Sequence, residues 1–168
     1  MAFADDLLEQ AYHLANRERR KPRQASLRRA VSTGYYALFH LLISEATLNW
    51  KRVGQRHALA RVFEHGKMKN ACLRKVGELN VYFTSKPQAS FELTNAQHLM
   101  IVAKTFIQSQ QKRHAADYDN SRVWTRTAAT SQIKFISDAF QSWQVIRNEQ
   151  ASQAFLVSLF GGKDPEKG

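Results

Sequence analysis

Between residues 25 and 48 the apolar side chains Leu27, Val31, Tyr35, Leu38 and Leu42 recur at intervals of four, four, three and four. That is the period of one buried face on an α-helix, so the stretch predicts a central core helix. On the same stretch Arg29, Thr33, Tyr36 and His40 form a second stripe, made of groups that donate, accept or titrate. One side of this helix packs and another can carry a site. Gly34 lies inside it at a cost of about 1 kcal/mol relative to alanine, which predicts a close approach by a neighbouring helix.

The same period recurs on both sides. Leu7, Leu8, Ala11, Leu14 and Ala15 predict a first helix over 4–16, with Asp5, Asp6 and Glu9 near its positive end. Pro22 separates it from the core helix, and the turn between them presents Arg17, Arg19, Arg20, Lys21 and Arg23. Ala58, Leu59, Val62 and Phe63 predict a helical segment from 55, broken at Gly66 and Lys67 before a second piece over 70–79. Residues 82–90, with Pro87 and two serines, read as a loop. Ala96, Leu99, Ala103, Phe106 and Gln110 share one face of a helix over 91–114, for which Ser90, Thr94 or Asn95 supplies the cap. Ile133, Ile136, Phe140, Trp143 and Ile146 mark a last helix over 127–160 that bends or divides near 147–150. The expected fold is all-α, an antiparallel up-and-down bundle of about five helices in one domain over 1–160, with a flexible tail over 161–168.

Composition adds a partner class. The chain carries 25 Lys and Arg against 14 Asp and Glu, a net charge of +11 and a pI near 10.1. A field of that sign attracts polyanions and speeds association with them, so nucleic acid leads. The lone Cys72 cannot pair within the chain, and no apolar run approaches the roughly twenty residues of a membrane span, which together predict a soluble cytoplasmic protein. His57 and His65 are two helical turns apart, too far to chelate one ion, so neither a metal nor a cofactor is expected.

Two segments carry a family resemblance. R-A-V-S-T-G-Y-Y-A-L-F-H, from Arg29 to His40, resembles the R-x-A-x-x-x-Y-Y-A-x-F-H helix of one branch of the HEPN domains. R-H-A-A-D-Y, from Arg113 to Tyr118, is similar to that branch's R-x-x-A-D-Y element, and H-A-L-A-R-V-F-E-H-G, from His57 to Gly66, has some likeness to its H-x-x-x-x-x-x-F segment. The resemblance implies a homodimeric helical protein that binds RNA or a nucleotide in a toxin-antitoxin or stress system, sometimes beside a nucleotidyltransferase. In many such proteins an R-x(4 to 6)-H pair cleaves RNA without metal, the arginine holding the phosphate and the histidine moving the 2′-hydroxyl proton. Arg113 departs from that spacing, because His114 follows at once and the positions five to seven beyond it are Tyr118, Asp119 and Asn120. The literal spacing occurs at Arg52 and His57, away from the later helix where the family has it.

Three functions therefore stand side by side. The first is binding of RNA or a nucleotide through Arg29, Tyr36, Arg52, Arg56, Arg113 and Tyr118. The second is a metal-independent endoribonuclease with a rearranged site drawn from Arg113, Asp117, His57 and His40. The third is a non-enzymatic module whose charge meets an acidic partner such as a nucleotidyltransferase. Arg113 and Asp117, four apart, share a helix face and are either part of a polar site or a structural ion pair. Trp50, set among Lys51, Arg52, Arg56, His57 and Arg61, either stacks on a base or closes the core. Tyr12, Phe91 and Trp124 are equally free to line a dimer interface or the core.

Overall fold

The computed structural model describes residues 2–86 and 92–161. Seven α-helices and one 3-10 turn make up the described chain, with no strand among them. They are α1 (Phe3–Ala15), α2 (Gln24–Leu48), the 3-10 turn Val53–Gln55, α3 (Arg56–Ala60), α4 (His65–Ser85), α5 (Asn95–Tyr118), α6 (Arg126–Ile146) and α7 (Gln150–Ser158). The all-α class stands, and the count of five is corrected to seven. No helix among the described residues is long and apolar enough to cross a membrane.

The chain divides into two compact units, one of residues Met1–Leu41 and Thr105–Phe140, the other of Leu42–Lys104 and Gln141–Gly168. α2, α5 and α6 each give residues to both.

In the first unit Leu27, Val31, Tyr35 and Leu38 are completely buried, as their spacing requires. Ala11 and Ala15 of α1, Ala30 of α2, Ala116 of α5 and Ala129 of α6 join Leu27, Val31, Trp124 and Ile133 in one cluster. Small residues there let the helix backbones come close. Gly34 is the tightest point: a Cβ on it would lie 2.9 Å from Ile136 Cδ1. The close approach expected from the sequence is therefore that of α2 and α6. Trp124 belongs to this core rather than to an interface, and Tyr12 packs against it half-buried. Gln24 fixes the chain at Trp124 by donating from Nε2 to its carbonyl at 2.7 Å and accepting from its N–H at 2.8 Å.

The second unit is built on Leu42, Phe63, Met68, Cys72, Leu99, Trp143, Phe155 and Leu156. Phe63 stacks on Phe160 with ring centroids 4.2 Å apart. Burying Phe63 breaks the helical run at residues 61–64, so α3 is only five residues long and Val62 is left exposed. α4 then runs unbroken through Gly66 and Lys67, where a break was expected. Glu64 precedes it in extended conformation, and its side chain pairs with Lys67 at 2.8 Å. α4 also continues to Ser85, beyond the expected loop start at Tyr82, because the Thr84 and Ser85 hydroxyls bond the carbonyls of Val81 and Tyr82 instead of leaving the helix. The remainder of that expected loop, with Pro87 and Ser90, lies outside the described residues, as do Phe91, the expected start of the next helix, and the expected tail beyond Gly161.

α5 starts at a capping box. Thr94 Oγ1 accepts from Gln97 N–H at 3.2 Å while Gln97 Oε1 accepts from Thr94 N–H at 2.8 Å, which selects Thr94 among the three expected caps. The last expected helix divides into α6 and α7 at residues 147–149. There Arg147 grips Glu45 through two bonds, of 2.8 and 3.2 Å.

Candidate functional site

The candidate residues fall into two groups, one in each compact unit. In the first unit α5 lays Arg113 across α2. Its guanidinium sits 5.2 Å from the ring centroid of Tyr35 and 5.9 Å from that of Tyr36. One turn on, Asp117 approaches Arg113 Nη1 to 3.7 Å and accepts from Ser32 Oγ at 3.4 Å. Only 14% of the Arg113 side chain is exposed, against 26% for Asp117, and Arg113 Nε is buried with no hydrogen-bond partner among the described residues. This is a mostly desolvated cation matched by one carboxylate and two aromatic faces, so removing either charge leaves the other poorly solvated. The two segments that carry the HEPN resemblance thus touch each other. The ion pair expected from the four-residue spacing is present.

The other candidates of this unit are arranged around that seat. Arg29 is exposed on α2 and Tyr36 is half-buried beneath Arg113. Tyr118 is largely exposed, with the His114 ring 4.9 Å from its own. His40 is packed by rings instead of charges: Phe3 lies at 4.9 Å and Phe39 at 5.4 Å. Its burial there pushes the imidazole pKa down, favouring the neutral form.

Arg28 is the residue that pattern reading passed over. It donates from Nη1 to the carbonyls of Ala116 and Asp119 at 2.8 and 2.9 Å, and from Nη2 to that of Arg122 at 2.6 Å. It closes the C-terminal end of α5 and holds the turn that follows. The basic turn before α2 is held in a similar way. Arg126 donates to the carbonyls of Glu18 and Arg19, and the Glu18 carboxylate accepts from Ser26 Oγ at 2.7 Å. That hydroxyl, helped by the N–H of Arg23, holds the Glu18 carboxyl below its ordinary pKa. With its acid turned to structural use, the turn leaves Arg17, Arg19, Arg20, Lys21 and Arg23 exposed.

In the second unit the chain between α2 and α4 carries the other group. Trp50 is 46% exposed, whereas the other two tryptophans, Trp124 and Trp143, are 2% and 0% exposed. On the same stretch of chain Lys51, Arg52, His57 and Arg61 are exposed, and none of their side chains has an ion pair or hydrogen bond among the described residues. Arg56 is different. Its Nε and Nη2 donate to the carbonyls of Trp50 and Leu48, both at 2.9 Å, so it closes the C-terminal end of α2 and shapes the loop that presents Trp50. His57 lies on α3 in this unit, whereas Arg113, Asp117 and His40 lie in the first.

Among the described residues no group of His, Cys, Asp and Glu is placed to hold a metal ion. Cys72 is buried and free, and burial raises its thiol pKa far above the usual range, so it is not a nucleophile at neutral pH. No family model, no curated protein and no solved structure matches the chain.

Proposed function

We propose that the chain is a HEPN-like helical protein that binds single-stranded RNA through the segment between α2 and α4. The observation that carries this is the exposed Trp50 indole on a segment whose exposed cations Lys51, Arg52 and Arg61 have no acidic partner among the described residues. An indole offers a π-face to any base, and Lys51, Arg52 and Arg61 offer charge to the phosphates beside it. The net charge of +11 raises the local concentration of a polyanion over the whole surface. The contact between the Tyr35–Tyr36 segment and the Arg113–Asp117 segment supports the HEPN-like reading, because it joins the two stretches from which the resemblance was drawn.

The proposal is for binding, with Arg113 and Asp117 in a structural role. An endoribonuclease would need a group that moves a proton beside Arg113. Tyr35, Tyr36 and Asp117 lie at its guanidinium, the last already engaged by it and by Ser32.

Titration with a fluorescent uridine oligonucleotide tests the reading. Binding is expected to quench the one exposed tryptophan and to weaken with salt at a log–log slope of about −2, the value for three phosphates on a single strand. Trp50→Ala should lose the quenching and at least tenfold in affinity. Unchanged affinity in that variant would end the proposal.

A further inference from the structure

The second unit contains a cavity of about 350 Å³ bounded by α4, the start of α5 and the start of α7. Its walls are apolar, from Leu79 of α4, Ala96 and Leu99 of α5, and Ala151 of α7. This size is within the range of small-molecule sites, which commonly pair such walls with a few directed polar groups.

Those groups are present and are mostly donors. Ser152 lines the cavity, is 2% exposed, and its hydroxyl has no hydrogen-bond partner among the described residues. Its oxygen is reached from the cavity and not sealed off by the chain, so it is free to donate to an acceptor that enters there. Two helix starts open on the same space. In α5 the N–H groups of Asn95 and Ala96 lie ahead of the first intrahelical bond, which is His98 N–H to Thr94 at 3.0 Å. In α7 those of Ala151 and Ser152 lie ahead of Gln153 N–H to Glu149, also 3.0 Å, and the Glu149 side chain does not cap them. Of the ionised groups, Lys75 and Glu78 neutralise each other at 3.0 Å, and Glu149 is exposed to solvent. The cavity therefore offers the Ser152 hydroxyl and two helix starts, with the exposed Glu149 carboxylate beside that of α7.

We infer that this cavity binds a small organic acid, its carboxylate on Ser152 Oγ and the first-turn amides of α7, its aromatic or short aliphatic body between Leu79, Ala96 and Leu99. The site is separate from Trp50 and its cations, and the inference stands whether or not the chain binds RNA.

Isothermal titration of the full chain with 4-phenylbutyrate, 4-phenylbutanol and 4-phenylbutylamine tests it, since the three share a body and differ in the head. The acid is expected to bind at least tenfold more tightly than the alcohol or the amine. Ser152→Ala should weaken the acid about tenfold and leave the alcohol nearly unchanged. Ala96→Phe should abolish binding of all three by filling the cavity, with far-ultraviolet circular dichroism reporting an intact fold. If Ser152→Ala does not fold, Ser152→Cys, which keeps the volume but donates weakly, should give the same loss. Equal affinity for the three heads, preference for the amine, absence of binding, or an acid affinity indifferent to Ser152 would each overturn the inference.

Discussion

Each unit of this molecule carries arginines and aromatic side chains among its candidate residues, and the two settings are opposite. In the first, Arg113 lies over Tyr35 and Tyr36, mostly out of water, with Asp117 and Ser32 completing its surroundings. In the second, Trp50 stands exposed among Lys51, Arg52 and Arg61, none of which has an acidic partner among the described residues. Burial decides what each can do. A desolvated guanidinium must be matched and then becomes part of the framework, whereas an exposed unmatched one costs the fold little and is available to a phosphate. Composition counts both kinds equally, so +11 overstates the charge free to bind.

The largest effect should come from reversing charge in the exposed setting. Arg52→Glu with Arg61→Glu is expected to lower affinity for single-stranded RNA by at least a hundredfold at low salt and to leave the urea midpoint nearly unchanged. The comparison breaks if the double variant unfolds or binds like the wild type.

Next in size is the converse experiment. Arg113→Ala removes the contacts with both tyrosines and should cost about 2 kcal/mol of stability, while RNA affinity stays within threefold. Arg28→Ala removes three hydrogen bonds to backbone carbonyls, two of them part-buried, and should cost about 2 kcal/mol. Chemical denaturation beside anisotropy titration reads both quantities. Loss of RNA affinity in folded Arg113→Ala would move the binding site to the first unit.

The difference between Arg28 and Arg29 also marks how far the sequence was legible. The buried stripe of Leu27, Val31, Tyr35, Leu38 and Leu42 could be read because helical period alone determines which residues share a face. Gly34 and the division after Ile146 were legible for similarly local reasons, and the cap of α5 was narrowed to three residues of which the structure selects Thr94. Arg28 was not, since its partners are backbone carbonyls of residues 116–122, the nearest of them 88 positions away. Nothing local separates it from its exposed neighbour. The start of α4 was misread because Gly66 is a weak breaker in a first turn, whereas burial of Phe63, a tertiary event, ends α3. At the candidate site the residue types were legible. Which cations the fold consumes, Arg28, Arg56, Arg113, Arg126 and Arg147 among them, was not.

A smaller effect tests how tightly the first unit is packed beneath its arginine. Gly34→Ala gains about 1 kcal/mol of helix propensity but pushes a methyl group to 2.9 Å from Ile136 Cδ1, an overpacking cost of about 1–3 kcal/mol. Net destabilisation of about 1 kcal/mol is expected. In an Ile136→Val background, which lacks that methyl, the same alanine should become neutral or stabilising. A double-mutant cycle with no coupling would show that α2 and α6 do not meet there.

The smallest effect concerns pH and sharpens the assignment of the first unit to structure. His40 shares the polar stripe of α2 with Tyr36, yet it packs between Phe3 and Phe39, and burial lowers its pKa from the ordinary value of about 6.5. Below pH 6.5 the unfolded chain takes up this proton more readily than the folded one. Stability is therefore unaffected by His40 above that pH and declines as pH falls toward the lower folded value. Glu18 and Asp119, whose pKa values are also lowered, act in a separate window, contributing stability that is lost only as pH falls below about 4. Urea midpoints at pH 7.5 and 5.5 should fall further for the wild type than for His40→Gln. Phe3→Ala, by admitting water, should bring the histidine titration seen by NMR back toward 6.5. A His40 titrating at or above that value in the wild type would instead indicate a carboxylate near the ring, and would return His40 to the list of groups able to move a proton.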